Sequence, residues 1–180
     1  MVSIERMADN LSASILKNYP DSSSSLPVLR YALIAVINLI ITIISVLVIS
    51  AVTGDIRAGF TAIIAFPVLR YVSGGLHLKS SNLCNFITAT FMLIAIYTPI
   101  EYWYNGFVLN VLSIMILAIN APSGIKRSRL DKKYYPVLKL LSICIVCTNF
   151  LFHSHILSVV FFIQSLTTTK SFNKLVEYLD

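Results

Sequence analysis

Four long uncharged runs dominate this chain and determine the solvent in which it folds. They cover Tyr31 to Gly54, Ser80 to Ile100, Tyr102 to Ile125 and Leu140 to Thr169. Each reaches the roughly 20 residues that a helix needs to cross a bilayer. With 57% hydrophobic and 12% charged residues, there is too little polar surface to cover a water-soluble globule. A fifth run, Ala58 to Leu69, rises only about 18 Å as a helix. It spans only if its polar flanks contribute, with Arg57 and Arg70 snorkelling outward. The last run carries His153-Ser154-His155 near its middle. It reads as one long tilted helix or, better, as two short spans meeting at a polar turn. The expected fold is all-α: a polytopic integral membrane helical bundle of about six transmembrane helices plus an N-terminal amphipathic helix. Pro67 removes a backbone donor and predicts a kink in the second span.

The first apolar run begins only at Tyr31 and is too long for the core of a signal peptide, so no cleavable leader is expected. Residues 3 to 18 set Ile4, Met7, Ala8, Leu11 and Ile15 at helical spacing, opposite Glu5, Arg6, Asp9 and Asn10. Such a helix lies on the membrane surface or packs on a partner subunit. Pro20-Asp21-Ser22-Ser23-Ser24-Ser25 breaks it and leads to the first span. The expected division is 1–30 for the amphipathic helix and linker, 31–170 for the membrane domain and 171–180 for a short cytoplasmic tail.

Orientation follows from the basic residues. Lys126, Arg127, Arg129, Lys132, Lys133 and Lys139 crowd one loop with only Asp131 against them, which assigns that loop to the cytoplasm. Threading six spans from this anchor puts every other Lys and Arg inside except Arg57, with both termini cytoplasmic. A five-span chain moves Lys170 and Lys174 out and weakens the bias. Tyr102-Trp103-Tyr104 then meets the outer interface and Tyr134-Tyr135 the inner one, where aromatic rings prefer to lie.

This topology brings the polar stretch from Ser73 to Cys84 to the cytoplasmic face. Within it, His77 and Cys84 are a potential base and a nucleophile at a membrane boundary, where polar groups are costly. On one continuous helix, residues seven apart are separated by about 10.5 Å along the axis, too far for a thiol to meet an imidazole. The chain must therefore bend between them. Gly74 and Gly75 supply the freedom to end one helix, and Ser80, Ser81 or Asn82 can cap the next. Cys84 then falls in the first turn of a new helix, where the positive dipole end favours an anion, with Lys79 and Arg70 as further positive charges. No Asp or Glu lies near His77, so a third group would be Asn82, Asn85 or a backbone carbonyl, unless the pair acts as a dyad. Taken alone, a border Cys is usually a small hydrophobe and a border His an interfacial polar group.

Arg70-Tyr71-Val72-Ser73-Gly74-Gly75-Leu76-His77, with Cys84 seven residues on, resembles the signature of the accessory gene regulator B family of Gram-positive quorum-sensing peptidases. Size, the amphipathic start, the short span before the motif and the basic loop before the last spans extend the resemblance over nearly the whole chain. It implies a multi-pass protein of the bacterial cell membrane with its active site in the cytoplasm. The implied reaction is endopeptidase action on a small pro-peptide of the accessory gene regulator D type, which has an amphipathic leader, a central pheromone segment and an acidic tail. Cys84 and His77 would be catalytic. Cys84 would release the tail, hold the segment as a thioester and pass it to the peptide's own thiol to close a ring. Arg70, Gly74, Gly75, Lys79, Lys132 and Lys133 are candidates for substrate binding or for the oxyanion. The resemblance and the short, exposed spans are compatible with a homodimer.

No cofactor or metal is called for. Nucleic acid does not suit so apolar a chain despite its pI near 9.3, whereas membrane lipid and the pro-peptide do. The basic loop serves topology first and attraction of an acidic tail or anionic lipid second. Cys144 and Cys147 read as core packing rather than a redox pair, and His153 with His155 as a polar turn rather than a metal site. The competing class is a small transporter or scaffold. It requires inward-facing polar residues on several spans, while ionisable groups inside the membrane are nearly absent here.

Overall fold

The computed structural model describes residues 4–19, 25–75, 80–124 and 131–177. Its elements, in chain order, are α1 (Ile4–Asn18), α2 (Leu26–Val52), α3 (Ile56–Ser73), α4 (Ser81–Tyr97), a π-helical turn (Tyr102–Gly106) running into α5 (Phe107–Asn120), a 3-10 turn (Lys132–Tyr134) running into α6 (Tyr135–Cys147), α7 (Asn149–Phe152), α8 (His155–Thr167) and α9 (Lys170–Glu177). Among the described residues there is no strand. Leu26–Val52, Ile56–Ser73, Tyr102–Asn120 and Lys132–Phe152 are long and apolar enough to cross a membrane, and α4 and α8 are shorter apolar helices.

Local chemistry explains the element boundaries. Pro27 sits in the first turn of α2, where its missing N–H is not needed. Thr53 and Gly54, the latter at φ +86, turn the chain into α3. The short apolar run becomes a helix of 18 residues because Ile56 and Arg57 join it at one end and Arg70 to Ser73 at the other. Pro67 lies inside α3, and the helix continues past it to Ser73. The last apolar run does break at its histidines. His153 takes a left-handed conformation at φ 51, and the Ser154 hydroxyl caps α8 by accepting the Leu157 amide at 3.4 Å.

Helix α3 is the centre of the bundle and packs on α2, α4, α6 and α8. Its small residues permit this. A Cβ on Gly59 would lie 2.6 Å from the Ser50 hydroxyl on α2, the close approach that small residues allow between membrane helices. Phe66 and Leu69 of α3, Met92 of α4, Leu117 of α5, Val146 of α6 and Val160 of α8 form the apolar interior. Outward, Ile40, Ile44, Ile64, Phe86, Leu140 and Leu151 stay exposed, as residues facing hydrocarbon do.

Helix α1 folds onto α2 of its own chain. Ile4, Ala8 and Ser12 are buried there, and Asp9 pairs with Arg30. Met7 and Leu11, from the same expected apolar stripe, stay exposed. The interior also holds uncharged polar groups. The Asn149 side-chain amide donates to Ser158 Oγ at 2.9 Å, to the Ser154 carbonyl at 3.0 Å and to Asn110 Oδ1 at 3.4 Å, and its oxygen accepts the Ser154 amide at 3.0 Å.

Candidate active site

The site is built where α3 ends. Gly74 stops the helix at φ 71, ψ −143, a region that side chains with a Cβ rarely enter. Its amide still donates to the Arg70 carbonyl at 2.9 Å. The chain then pairs with the segment after α5. The Gly75 amide donates to the Ser123 carbonyl and the Ser123 amide to the Ser73 carbonyl, both at 3.0 Å. A Cβ on Gly75 would lie 2.6 Å from Thr167 Oγ1, and one on Gly124 would lie 2.5 Å from the Gly75 carbonyl oxygen. Glycines therefore let the end of α3, the segment after α5 and the end of α8 meet. Gln164 of α8, fully buried, donates through Nε2 to Ser73 Oγ at 3.0 Å and to the Gly74 carbonyl at 2.8 Å.

Helix α4 starts at the same end. Ser80 is its cap, with its hydroxyl accepting the Leu83 amide at 3.4 Å and its carbonyl accepting the Cys84 amide at 3.0 Å. The Cys84 thiol is free and half-buried at the first turn. Arg70, in the last turn of α3, is partly buried at the same end of the bundle. Asn85 is buried, and its side-chain oxygen accepts the Thr42 hydroxyl of α2. His77 and Lys79 lie outside the described residues.

Lys132 and Lys133 occupy the exposed 3-10 turn before α6. The Lys133 ammonium stands 3.2 Å from Asp131 and 5.0 Å from the centre of the Tyr134 ring. The start of α6 lies beside the end of α5, where Lys139 Nζ donates to the Ala118 carbonyl at 2.8 Å. Both lysines are thus at the end of the bundle that carries Gly74 and Cys84. Lys126, Arg127 and Arg129 lie outside the described residues.

One residue expected in the core changes place. Cys144 is exposed, so it faces outward from α6 rather than filling the core, because it falls on the side of the helix opposite Ser142 and Val146, while Cys147, at the flank of that face, is half-buried. His153 packs its ring on Trp103 at 4.7 Å and on Tyr102 at 5.1 Å. Among the described residues, no three His, Cys, Asp or Glu side chains gather as a metal site. Sequence reading missed Gln164, although a signal was present. It is the only glutamine in the chain and sits in an apolar run, where a long amide side chain needs partners.

Apolar helices around a polar end, with a free thiol at that end, define a helical membrane protein. The model of the accessory gene regulator B family matches residues 4–176, and the chain belongs to that family. Membership supports a role in quorum-sensing peptide processing, with an accessory gene regulator D type peptide as its counterpart. Comparison with curated proteins and with solved structures gave no match.

Proposed function

We propose that this protein is a membrane-embedded cysteine endopeptidase that trims the acidic tail from a D-type pro-peptide and promotes ring closure. The observation that carries the reading is the free Cys84 thiol, one turn into α4, at the end of an otherwise apolar bundle where Arg70 also stands, in the last turn of α3. A thiol near the first turn of a helix, where the dipole favours an anion, is suited to act as a nucleophile.

In this mechanism His77 takes the Cys84 proton, and sulfur attacks the carbonyl at the C-terminal edge of the pheromone segment. The carbon–sulfur bond forms, the carbon–nitrogen bond breaks, and His77 returns its proton to the departing amine of the tail. The segment remains as a thioester on Cys84. The peptide's internal thiol then loses its proton to His77, attacks the thioester carbonyl and releases Cys84, which recovers that proton. Thioester exchange is nearly isoenergetic, which favours cysteine over serine as nucleophile. The first step is uphill without ATP, so net flux needs removal of the tail or export of the product. Arg70 and Lys79 are candidates to hold the oxyanion or a substrate carboxylate, whereas the Gly74 and Gly75 amides, candidates by sequence, are already bonded to the Arg70 and Ser123 carbonyls. Lys132 and Lys133 are candidates to attract the acidic tail. In this scheme both chain termini and the catalytic end face the cytoplasm.

A transporter or scaffold is the competing reading, and uncharged polar residues do occupy the interior of several helices. The Asn149 amide bonds Asn110, Ser154 and Ser158, and the Asn110 amide bonds the Val146 carbonyl, which supports a packing role. The test is cleavage of a synthetic precursor by purified protein in vesicles. Cys84→Ala and His77→Ala each abolish cleavage while inserting normally, and cleavage by Cys84→Ala would sink the mechanism.

A further inference from the structure

Helices α2 and α4 lie side by side and run in the same direction. The Thr42 hydroxyl donates to Asn85, the neighbour of Cys84, and at the far end the Thr53 and Tyr97 hydroxyls share a hydrogen bond at 2.5 Å. That far end is a membrane boundary, because the exposed Asp55 and Arg57 follow Thr53 directly. From Tyr97 back to Cys84, α4 rises about 20 Å. The hydrocarbon core it must cross is about 30 Å thick, and any tilt shortens the reach along the membrane normal further.

Two other helices give a similar depth. Helix α8 starts beside His153, whose ring packs on the exposed Trp103, and rises about 18 Å to Thr167, the residue that abuts Gly75. On α6, Lys139 lies about 15 Å back from Asn149. Lys139 is half-buried, and its ammonium bonds the Ala118 carbonyl in the last turn of α5 at 2.8 Å. A charged group so far from the boundary calls for polar surroundings. Helix α2 and the start of α6 rise past this level. From Thr42 back to Leu26, α2 continues for about 24 Å, with α1 packed on it and Asp9 paired with Arg30. From Lys139 back to Lys132, α6 and its 3-10 turn continue for about 10 Å. There the exposed Lys132, Lys133 and Tyr134 mark the second boundary.

We infer that the end of the bundle carrying Cys84 is a polar recess sunk about 10 Å beneath the membrane boundary marked by Lys132, and that it takes a peptide already lodged in that leaflet. The first half of α2, with α1, walls one side, and the start of α6 walls another. Lys139 and Arg70 make the recess polar, so that water and small ions reach Cys84 although lipid surrounds the bundle at the same level. The depth follows from helix lengths alone. Its meaning for the substrate rests on the reading of Cys84 as the nucleophile.

The experiment uses the full chain in vesicles, with Cys144 and Cys147 replaced by Ala. Bimane is attached at Cys84 or, in a Cys84→Ala background, at Lys132→Cys, Lys139→Cys or Leu140→Cys. Depth is read from the ratio of quenching by lipids that carry a nitroxide at the headgroup to quenching by lipids that carry it midway along the acyl chain. The labels at Cys84 and Lys139→Cys are expected about 10 Å deeper than the label at Lys132→Cys. Before labelling, Cys84 and Lys139→Cys are expected to react with a small anionic methanethiosulfonate, and Leu140→Cys, on the exposed side of α6, to resist it. Equal depths at Cys84 and Lys132→Cys overturn the inference, since lipid has then thinned to match the bundle. So does a Cys84 that the anionic reagent does not reach, or a Leu140→Cys that reacts as fast as Lys139→Cys. Cys84 is native, so its depth is measured even where the Lys139→Cys protein does not insert.

A precursor carrying bimane beside its scissile bond, bound to the Cys84→Ala protein, is expected at the depth of the Cys84 label. A value at the boundary overturns the claim on the substrate. Cleavage of the precursor by Cys84→Ala is a different failure, which removes the peptidase reading and the substrate claim with it while the measured depth stands.

Discussion

Gly74 and Ser123 pass so closely that a Cβ on Gly74 would lie 1.9 Å from the Ser123 carbonyl oxygen. The contact joins the end of α3 to the segment after α5, and the φ of +71 at Gly74 already disfavours any side chain. Gly74→Ala therefore meets both backbone strain and a steric collision with main-chain atoms. We expect it to destabilise the protein by more than about 2 kcal/mol and to abolish processing. Gly54 is the comparison. It has φ +86 with open space around it, so Gly54→Ala costs only about 1 kcal/mol. Thermal unfolding in detergent separates the two, and equal losses would mean that strain alone, and not the approach to Ser123, sets the cost.

At the opposite end of the bundle, Asn149 ties α5, the α7–α8 junction and α8 together through Asn110, Ser154 and Ser158. Asn149→Ala leaves several buried partners unpaired at once. The expected loss is about 1–3 kcal/mol, tempered by the modest worth of hydrogen bonds within membranes. Unfolding measured by loss of detergent-resistant helicity checks this. Precursor cleavage at a permissive temperature should survive, since this network lies away from Cys84.

Much of the fold was legible because hydropathy and length report directly on a membrane environment. The apolar runs and the break at His153-Ser154 follow from local chemistry and recur in the structure, and of the three candidate caps Ser80, Ser81 and Asn82 the structure uses Ser80. Facing direction was not legible. An all-round apolar helix has no stripe to mark its inner side, so Cys144 was read as core and is exposed, while the central position of α3 could not be foreseen from its short run. The candidate site was legible only as a motif. Spacing pointed to a bend after Gly74 and Gly75, but Ser123, Gln164 and Thr167 come from far along the sequence. Their meeting with Gly75 depends on how α5 and α8 pack. Helix α1 shows the same limit: its periodicity was visible, yet not that α2 would cover Ile4 and Ala8.

The charge distribution predicts sidedness. Single cysteines introduced at Ser80 and Lys132 should label from the cytoplasmic side, and those at Glu101 and Trp103 from the outside. External labelling at Ser80 would invalidate a cytoplasmic site. At the same end, replacing Lys132 and Lys133 by Glu should weaken precursor binding more at low salt than at high salt if the exposed turn attracts an acidic tail. Binding that is insensitive to salt would leave those lysines with a topological role only.

The acyl-enzyme separates cyclisation from ordinary proteolysis. If the precursor's internal thiol resolves the intermediate, replacing that residue with Ala should still release the tail but should leave the peptide on Cys84. Mass spectrometry would show this adduct as an increase in protein mass that hydroxylamine removes. Water must compete poorly for the thioester to persist, and the half-buried position of Cys84 at the edge of an apolar bundle is suited to that. Cys84→Ser should give little product, because a serine hydroxyl is a weak nucleophile near neutral pH without strong activation. Should the Ala precursor instead yield free linear peptide at the normal rate, with no adduct after rapid acid quench, the protein would be a simple hydrolase. Ring closure would then have to occur after release from Cys84.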